Sequence, residues 1–409
     1  MVFYTHMDAK IKHALLSYKS EVEVELTSIL DWWMEHMINK ETGFFYGEIS
    51  DANIPDANAP VGLVLQSRLL WTFSAAYKHT QNKVYLSFAH LAYNQLDTQF
   101  YDKQYGGMFW SVHPNGIPAS TKKQAYGIAF AIYGLSAYYE AAKNQSALDR
   151  ASELYNCLEK HFYDPVYGGY IECLGEDFFV IEDVRLSDKD QNAIKSMNTH
   201  LHVIEAYAKL YTVLPSQDLK QSVTHLLDVF EQHIIDASTC QQKLFFENNW
   251  TSTASVVSFG HDIEAAWLLQ EAAVIINDAL RIEKFTKFAQ GMAGQVAASL
   301  SPEGAVYNDY HTHTKVLDKG IDWWPQAEAM VGFFNAFENS GNTIYLQQSL
   351  MSWSVVKNHF KDARFGEWHW GYHPSGNLIV REKAGFWKCP YHNSRACIEV
   401  ANRISHLLQ

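Results

Sequence analysis

A short turn that joins a glycine to aromatic residues recurs along this chain, and its spacing constrains the fold more than any other feature. The copies are ETGFFYGE at Gly43, YGGMFWSV at Gly106, YGGYIE at Gly168, KLFFENNW near Leu244, PEGAVYNDY at Gly304 and FGEWHW at Gly366. The steps between them are 63, 62, 76, 60 and 62 residues. That period is too long for a tetratricopeptide or ankyrin unit and suits two ordinary helices with their connections. A single such turn would be no more than a helix stop with a packed ring. Six at near-constant spacing mark a repeat architecture.

The segments between the turns are of two alternating kinds. Leu148 to His161 and Glu283 to Ser299 carry one apolar stripe and one polar face, as helices on the outside of a protein do. Tyr126 to Ala142 and Ile263 to Ile276 are apolar nearly all round and have to be inside. The alternation describes an all-α fold, an (α/α)6 barrel of twelve major helices in six pairs, with short β-ribbons at the turns. No Pro/Gly/Ser linker and no shift of composition divides the chain, so residues 1–409 are expected to form one domain.

Composition narrows the function classes. With 47% hydrophobic and 19% charged residues, disorder, collagen and coiled coil are excluded. The 12 Trp, 23 Tyr and 23 Phe supply either a large core or stacking surfaces for flat ligands such as sugars. Acidic residues exceed basic ones, 45 to 32, and no basic run stands out, so a nucleic-acid partner is not expected. The longest strongly apolar stretch, Ala125 to Tyr139, is too short to span a bilayer, so no membrane partner is expected either. Five scattered cysteines without a C-x-x-C pair read as reduced thiols, and the N-terminus lacks a secretory pattern. Both point to the cytoplasm.

Four polar constellations interrupt the apolar segments. In KSMNTHLH, Asn198 and His202 share a helical face, while His200 and His202 project about 200° apart and cannot chelate one ion. In SFGHDIE, His261 and Glu264 share a face at a helix start, and Gly260 permits close approach of a neighbour. A carboxylate beside an imidazole fixes its tautomer and raises its basicity. In DWWPQAE, Trp324 and Glu328 share a face, pairing a stacking ring with a hydroxyl acceptor. In WKCPYHNSR, Trp387 and His392 lie in a polar turn expected to lead into a C-terminal helix from Ala396 to Leu408. Arg68 sits amid apolar helix and needs a carboxylate or a ligand to answer its charge. His311 and His313 read as solvated surface. No P-loop, dinucleotide fingerprint or nucleophilic triad is present. Several imidazoles with stacking rings suit proton transfer on a sugar carbon.

At these residues the sequence resembles the N-acylglucosamine 2-epimerase superfamily, and within it most closely the cellobiose 2-epimerases. The resemblance runs over nearly the whole chain, through LQSRLLW, GGMFWSV, KSMNTHLHVIEAY, SFGHDIEAAWLL, WWPQAEAMVGFFNAF and WKCPYHNSRACIEV. It implies the same barrel and a cofactor-free, metal-free epimerisation at C2 of a reducing-end glucose. It also implies roles: His202 and His392 as the acid/base pair at C2, His261 supported by Glu264 for ring opening, and Arg68 at O1/O2. Asn198, Tyr126 and Trp324 would complete the first sugar site, Trp387 would stack on the sugars, and Glu328 and Asp190 would bind hydroxyls. The expected partner is a small sugar, acted on by a monomer or weak homodimer. Mannose isomerisation, N-acylglucosamine epimerisation and glycoside hydrolysis on the same barrel are the competing activities.

Overall fold

The alternation of polarity along the chain decides which helices go inside. The computed structural model describes residues 8–188 and 190–409, and these contain twelve α-helices. They are α1 (Ala9–His36), α2 (Leu63–Thr80), α3 (Lys83–Gln95), α4 (Ala125–Ala142), α5 (Gln145–His161), α6 (Met197–Val213), α7 (Gln217–Val229), α8 (Phe259–Ile275), α9 (Ala279–Ala298), α10 (Trp323–Ser340), α11 (Thr343–Val355) and α12 (Tyr391–Leu407). In α4 every residue from Ala125 to Tyr138 is buried, whereas α5 buries only Ala147, Leu148, Ala151, Leu154 and Leu158. That second set is a single stripe at helical spacing. Helices of the first kind pack side by side in a closed ring, α2 on α4, α4 on α6, α6 on α8, α8 on α10, α10 on α12, and α12 back on α2. Each carries one outer helix, with α1 lying on α12 to complete the sixth pair.

Local chemistry makes the connections at the two ends of the ring different. At one end they are tight. In three repeats the inner helix stops at a left-handed residue, Gln81, Lys143 or Gly341, and the next residue, Asn82, Asn144 or Asn342, caps the outer helix through its side chain. At the other end lie the recurrent turns. Asp102, Asp164 and Asp362 each accept two backbone N–H bonds through Oδ1, and the fourth residue on, Gly106, Gly168 or Gly366, takes φ between +72° and +83°. The fourth copy is displaced from its expected place. Its turn runs from Asp236 to Cys240, which takes φ +56° where the others use glycine, so the KLFFENNW segment follows the turn instead of forming it.

Short antiparallel ribbons follow. The strand entering each inner helix pairs with the turn strand of the next repeat: Val61–Gly62 with Ser111–Val112, Lys123–Gln124 with Cys173–Leu174, and Lys195–Ser196 with Phe245–Phe246. Val256–Ser258 pairs with Asp309–His311, and Ile321–Asp322 with Gly371–Tyr372. A bridge between Ile49 and Ala384 closes the crown. His311 is thereby a strand residue and stays exposed, as does His313.

The C-terminal helix begins five residues before the expected Ala396, at Tyr391 directly after Pro390. Proline is tolerated at a helix start, where its missing N–H is not needed. The polar run His392 to Arg395 that suggests a turn is buried; His392 and Arg395 bond to carboxylates of the inner helices, and Asn393 to Glu367. No helix among the described residues is long and apolar enough to cross a membrane, and the five cysteines are unpaired.

The turns are bolted to the ring by buried ion pairs. Lys123, Lys195 and Lys383 each donate from Nζ to the second oxygen of a turn aspartate, Asp102, Asp164 and Asp362, at 2.6 Å. Removing one partner strands a buried charge. The substitution D164A is expected to lower unfolding free energy by about 3–5 kcal/mol, whereas K19A, at the exposed Lys19–Glu23 pair, should change it by less than about 1 kcal/mol. Urea denaturation of the two variants checks this, and equal losses would contradict the assignment.

Candidate active site

All six inner helices begin at the crowned end, and their first turns surround one cavity of about 410 Å³. Each contributes: Arg68 from α2, Tyr126 from α4, Asn198 and His202 from α6, His261 and Glu264 from α8, and Trp324 from α10. Trp387, just before α12, and His392, its second residue, complete the inner part. The loop before α6 adds Asp190, whose carboxylate accepts from the backbone and hydroxyl of Ser187 at 2.9 and 2.6 Å. Ten of the residues singled out from the sequence therefore share one chamber; Glu328 does not line it.

Two of the three imidazoles are held alike. Nδ1 of His202 donates to Glu205 Oε2 at 2.8 Å, and Nδ1 of His392 donates to Glu328 Oε1 at 2.7 Å. A carboxylate only accepts, so each ring carries its proton on Nδ1 and leaves Nε2 without a hydrogen-bond partner among the described residues. Burial lowers the pKa of both rings against the pull of these carboxylates, His392 to about 3. Both are neutral at pH 7.

The third ring departs from expectation. His261 forms no hydrogen bond or ion pair with Glu264; its Nδ1 lies 3.0 Å from Ser258 Oγ, and burial lowers its pKa to about 3. Glu264 turns instead to the guanidinium of Arg395 at 2.7 Å, because a buried carboxylate is drawn to a full charge more strongly than to a neutral ring. Burial and the nearby charge of Glu328 raise its pKa, so it holds a proton more firmly than an ordinary carboxyl. Glu328 is the other correction. Expected at sugar hydroxyls, it is buried and does not line the cavity; it accepts from Trp267 Nε1, His392 Nδ1 and Arg395. Its carboxyl is held low in pKa, Arg395 and His392 outweighing the effect of burial.

His200, by contrast, is structural. Its Nδ1 bonds to the Ser196 carbonyl at 2.6 Å and its Nε2 accepts from the Tyr170 N–H at 2.8 Å, pinning the preceding repeat to the start of α6. Glu264, Glu328 and His392 bring ligand atoms within 4.8 Å of one another, yet the space between the two carboxylates is taken by Arg395, which already supplies the cation.

Arg68 has no carboxylate partner among the described residues. One Nη donates to the Tyr126 hydroxyl at 3.0 Å and the other approaches Cys389 Sγ at 3.7 Å, while its plane sits over Phe130 and Tyr391 at 4.2 and 4.7 Å. Its Nε, like Oδ1 of Asn198, is buried with no partner. A buried, unanswered guanidinium is costly, and it marks where an oxygen-rich ligand belongs. Trp324 packs beside His261 and His392, with centroids at 4.8 and 5.7 Å. Gly260 makes room for it: a Cβ there would come within 2.5 Å of the Trp324 ring. The chamber is also lined by Asp188 and by Trp370, on which Arg381 stacks at 3.8 Å.

Sequence reasoning missed Glu205 and Arg395. The signal was present, since Glu205 follows His202, and Arg395 follows His392, at the same spacing of three that drew attention to His261 and Glu264. Trp370 and Arg381 flank the hairpin of Gly371–Tyr372 and Leu378–Ile379, and no local pattern ties them to the histidines.

Comparison with known proteins places the chain in a family. The profile of the N-acylglucosamine 2-epimerase (GlcNAc 2-epimerase) family matches residues 43–396. A cellobiose 2-epimerase of Bacteroides fragilis is 42% identical over 384 residues, 93% of this chain and 98% of that protein. The structure of a cellobiose 2-epimerase from Spirochaeta thermophila superposes with a TM-score of 0.92 at 36% identity, covering 98% of this chain and all of that one. The structure of a D-mannose isomerase superposes at 0.81 with 21% identity, over 94% of this chain and 98% of that one, a likeness of fold alone. With residues 43–396 inside the family profile and a relative 42% identical over nearly the whole chain, the chain belongs to the N-acylglucosamine 2-epimerase family.

Proposed function

We propose that the chain acts as one catalytic unit, a sugar 2-epimerase that interconverts glucose and mannose at the reducing end of β-1,4-linked disaccharides such as cellobiose. The observation that carries this reading is the pair of imidazoles, His202 and His392, each backed by a carboxylate and each presenting Nε2 to a chamber that holds an unanswered guanidinium.

The chemistry follows from those groups. Ring opening moves the O1 proton to a base and supplies a proton to O5. His261 takes the first part and the raised-pKa carboxyl of Glu264 assists as donor. The exposed C1 aldehyde acidifies C2–H. One imidazole takes that proton on Nε2 and becomes an imidazolium steadied by its carboxylate, while the enediolate charge on O1 faces Arg68. Helix N-termini that converge on the chamber favour the same negative charge. The other imidazole takes up a proton from water on its Nε2 and delivers it to C2 from the opposite face, which inverts C2; the first imidazolium returns its proton to the hydroxide so formed, and ring closure releases the epimer. Asn198, Tyr126 and Asp190 hold hydroxyls, and Trp324 and Trp387 cover sugar faces.

The outer part of the chamber, around Trp370, Arg381 and Asp188, has room beyond the histidines for a second sugar, which favours a disaccharide over free mannose. The cellobiose 2-epimerases among the relatives support the same choice. Hydrolysis on this barrel is disfavoured, because Glu205 and Glu328 are committed to imidazoles and Arg395 and do not flank a scissile bond.

Incubation with cellobiose, mannose and N-acetylmannosamine in D₂O, followed by NMR, is expected to show C2 deuteration and glucosyl-mannose from cellobiose fastest. H202N and H392N should each lose epimerisation by at least about 10²-fold, with one of them still exchanging C2–H from its own face. H261N should exchange from neither epimer. Full epimerisation by both C2 variants would leave these residues as binding groups only.

The pH profile gives a second check. A histidine whose pKa is lowered stays neutral, and so remains a competent base, at pH values where an exposed ring is already charged. Since burial lowers both His202 and His392, the acid limb of kcat/KM should lie below the ordinary imidazole pKa of about 6.5. A limb at or above that value would contradict the buried, neutral rings.

A further inference from the structure

Arg395 lies outside the chamber and touches nothing that reaches the sugar except through other side chains. It follows His392 by three residues on α12 and is almost wholly buried at the ring axis. Its Nη1 donates to Glu205 Oε1 at 2.5 Å and to the Tyr391 hydroxyl; its Nη2 donates to Glu264 Oε1 and Glu328 Oε1, both at 2.7 Å. The faces of Tyr391 and Trp267 lie 4.2 and 4.9 Å from its centre.

Two of these carboxylates are the partners of the two imidazoles. His202 is tied to Glu205 and His392 to Glu328, so a single guanidinium stands behind both rings. We propose that Arg395 is a positioning residue of the reaction, which through Glu205 and Glu328 sets the aim and tautomer of His202 and His392 together as a matched pair. The inference rests on the reading of those two histidines as the C2 acid/base groups.

Charge and shape both favour this role. Three carboxylates crowd the axis, and without a cation among them their combined field would draw protons onto the neighbouring rings. With Arg395 in place, Glu205 and Glu328 each share their charge between guanidinium and imidazole, and Glu264 is bonded to the guanidinium alone. The planar fork has donors for three carboxylates from three helices at once, which the single ammonium of a lysine cannot reproduce. Ring faces against its plane fix the fork, and the fork fixes the carboxylates.

The other groups around each ring do not substitute for it. His202 is faced by Glu205 on its own helix, Arg68 of α2, Tyr126 and Phe130 of α4, and His261 of α8. His392 is faced by Glu328 and Trp324 of α10, Glu264 of α8 and Arg68 of α2. Of the cations, Arg68 acts on the chamber side and forms no ion pair with any of these carboxylates among the described residues. Arg395 alone bonds to all three of Glu205, Glu264 and Glu328.

The test uses the full chain, with ring-¹⁵N-labelled histidine and the variants R395Q and R395K, the signals being assigned with H202N and H392N. In unliganded R395Q, both rings should titrate higher than in wild type by about one unit or more, since a charge within a few ångströms typically shifts a pKa by 1–3 units. Its kcat should fall by about 10²-fold or more with KM little changed, the signature of an interaction felt in the transition state. R395K keeps the charge and loses the fork, so its rings should titrate close to wild type while kcat recovers only in part.

A folded R395Q whose two rings titrate as in wild type would overturn the proposal. If R395Q does not fold, R395K decides, and full wild-type kcat in that variant would equally overturn it. The ring titrations need no substrate. Should wild type exchange no C2 hydrogen in any sugar offered, the epimerase reading fails, and the titrations still report on Arg395.

Discussion

The closed ring of inner helices imposes one direction on the whole molecule. Because every repeat runs outer helix, turn, strand, inner helix, all six inner helices start at the same end. Their first turns have to converge there. Arg68, Tyr126, His202, His261, Trp324 and His392 are far apart in sequence and come from six different repeats, yet each lies within the first two turns of its helix. The ribbons that join successive repeats hold those starts in register, and the bridge from Ile49 to Ala384 prevents the ring from opening.

Below the chamber the same geometry creates a problem of charge. Glu205, Glu264 and Glu328 point toward the axis, where water is scarce and an isolated carboxylate is strongly disfavoured. Arg395 answers all three. A buried ionic cluster of this kind adds little net stability, since desolvation offsets most of the Coulomb attraction, and an apolar axis would fold at least as well. Its presence is better explained by what it does to the imidazoles. The Lys–Asp pairs at Asp102, Asp164 and Asp362 obey the same physics for a different end, tying the turns to the segments that lead into α4, α6 and α12.

Much of this was legible in the chain, and the exceptions have definite causes. The repeat and the alternation of helix types are local periodicities, so they survive without knowledge of contacts. The fourth turn was misplaced because Cys240 takes the left-handed role that glycine plays in other copies, and aromatic residues a few positions later drew the eye. α12 starts earlier than its sequence suggests because His392 to Arg395 have the composition of a solvated turn, whereas His392 and Arg395 are buried against carboxylates of α6, α8 and α10. The pairing of His261 with Glu264 followed from helical spacing, which establishes that two side chains can meet and not that they do.

What the sequence alone determined is the set of helices, their inside or outside station, and the residue types that populate the inner-helix starts, because each depends on composition and period within a few tens of residues. Tertiary structure decided the partnerships. Which carboxylate orients which imidazole, why Glu328 is withdrawn from the ligand, and why Arg68 is left unanswered while Arg395 is triply bonded all depend on distances across the ring axis. Those distances are fixed only when six repeats close on one another, and no stretch of chain shorter than the whole ring contains them.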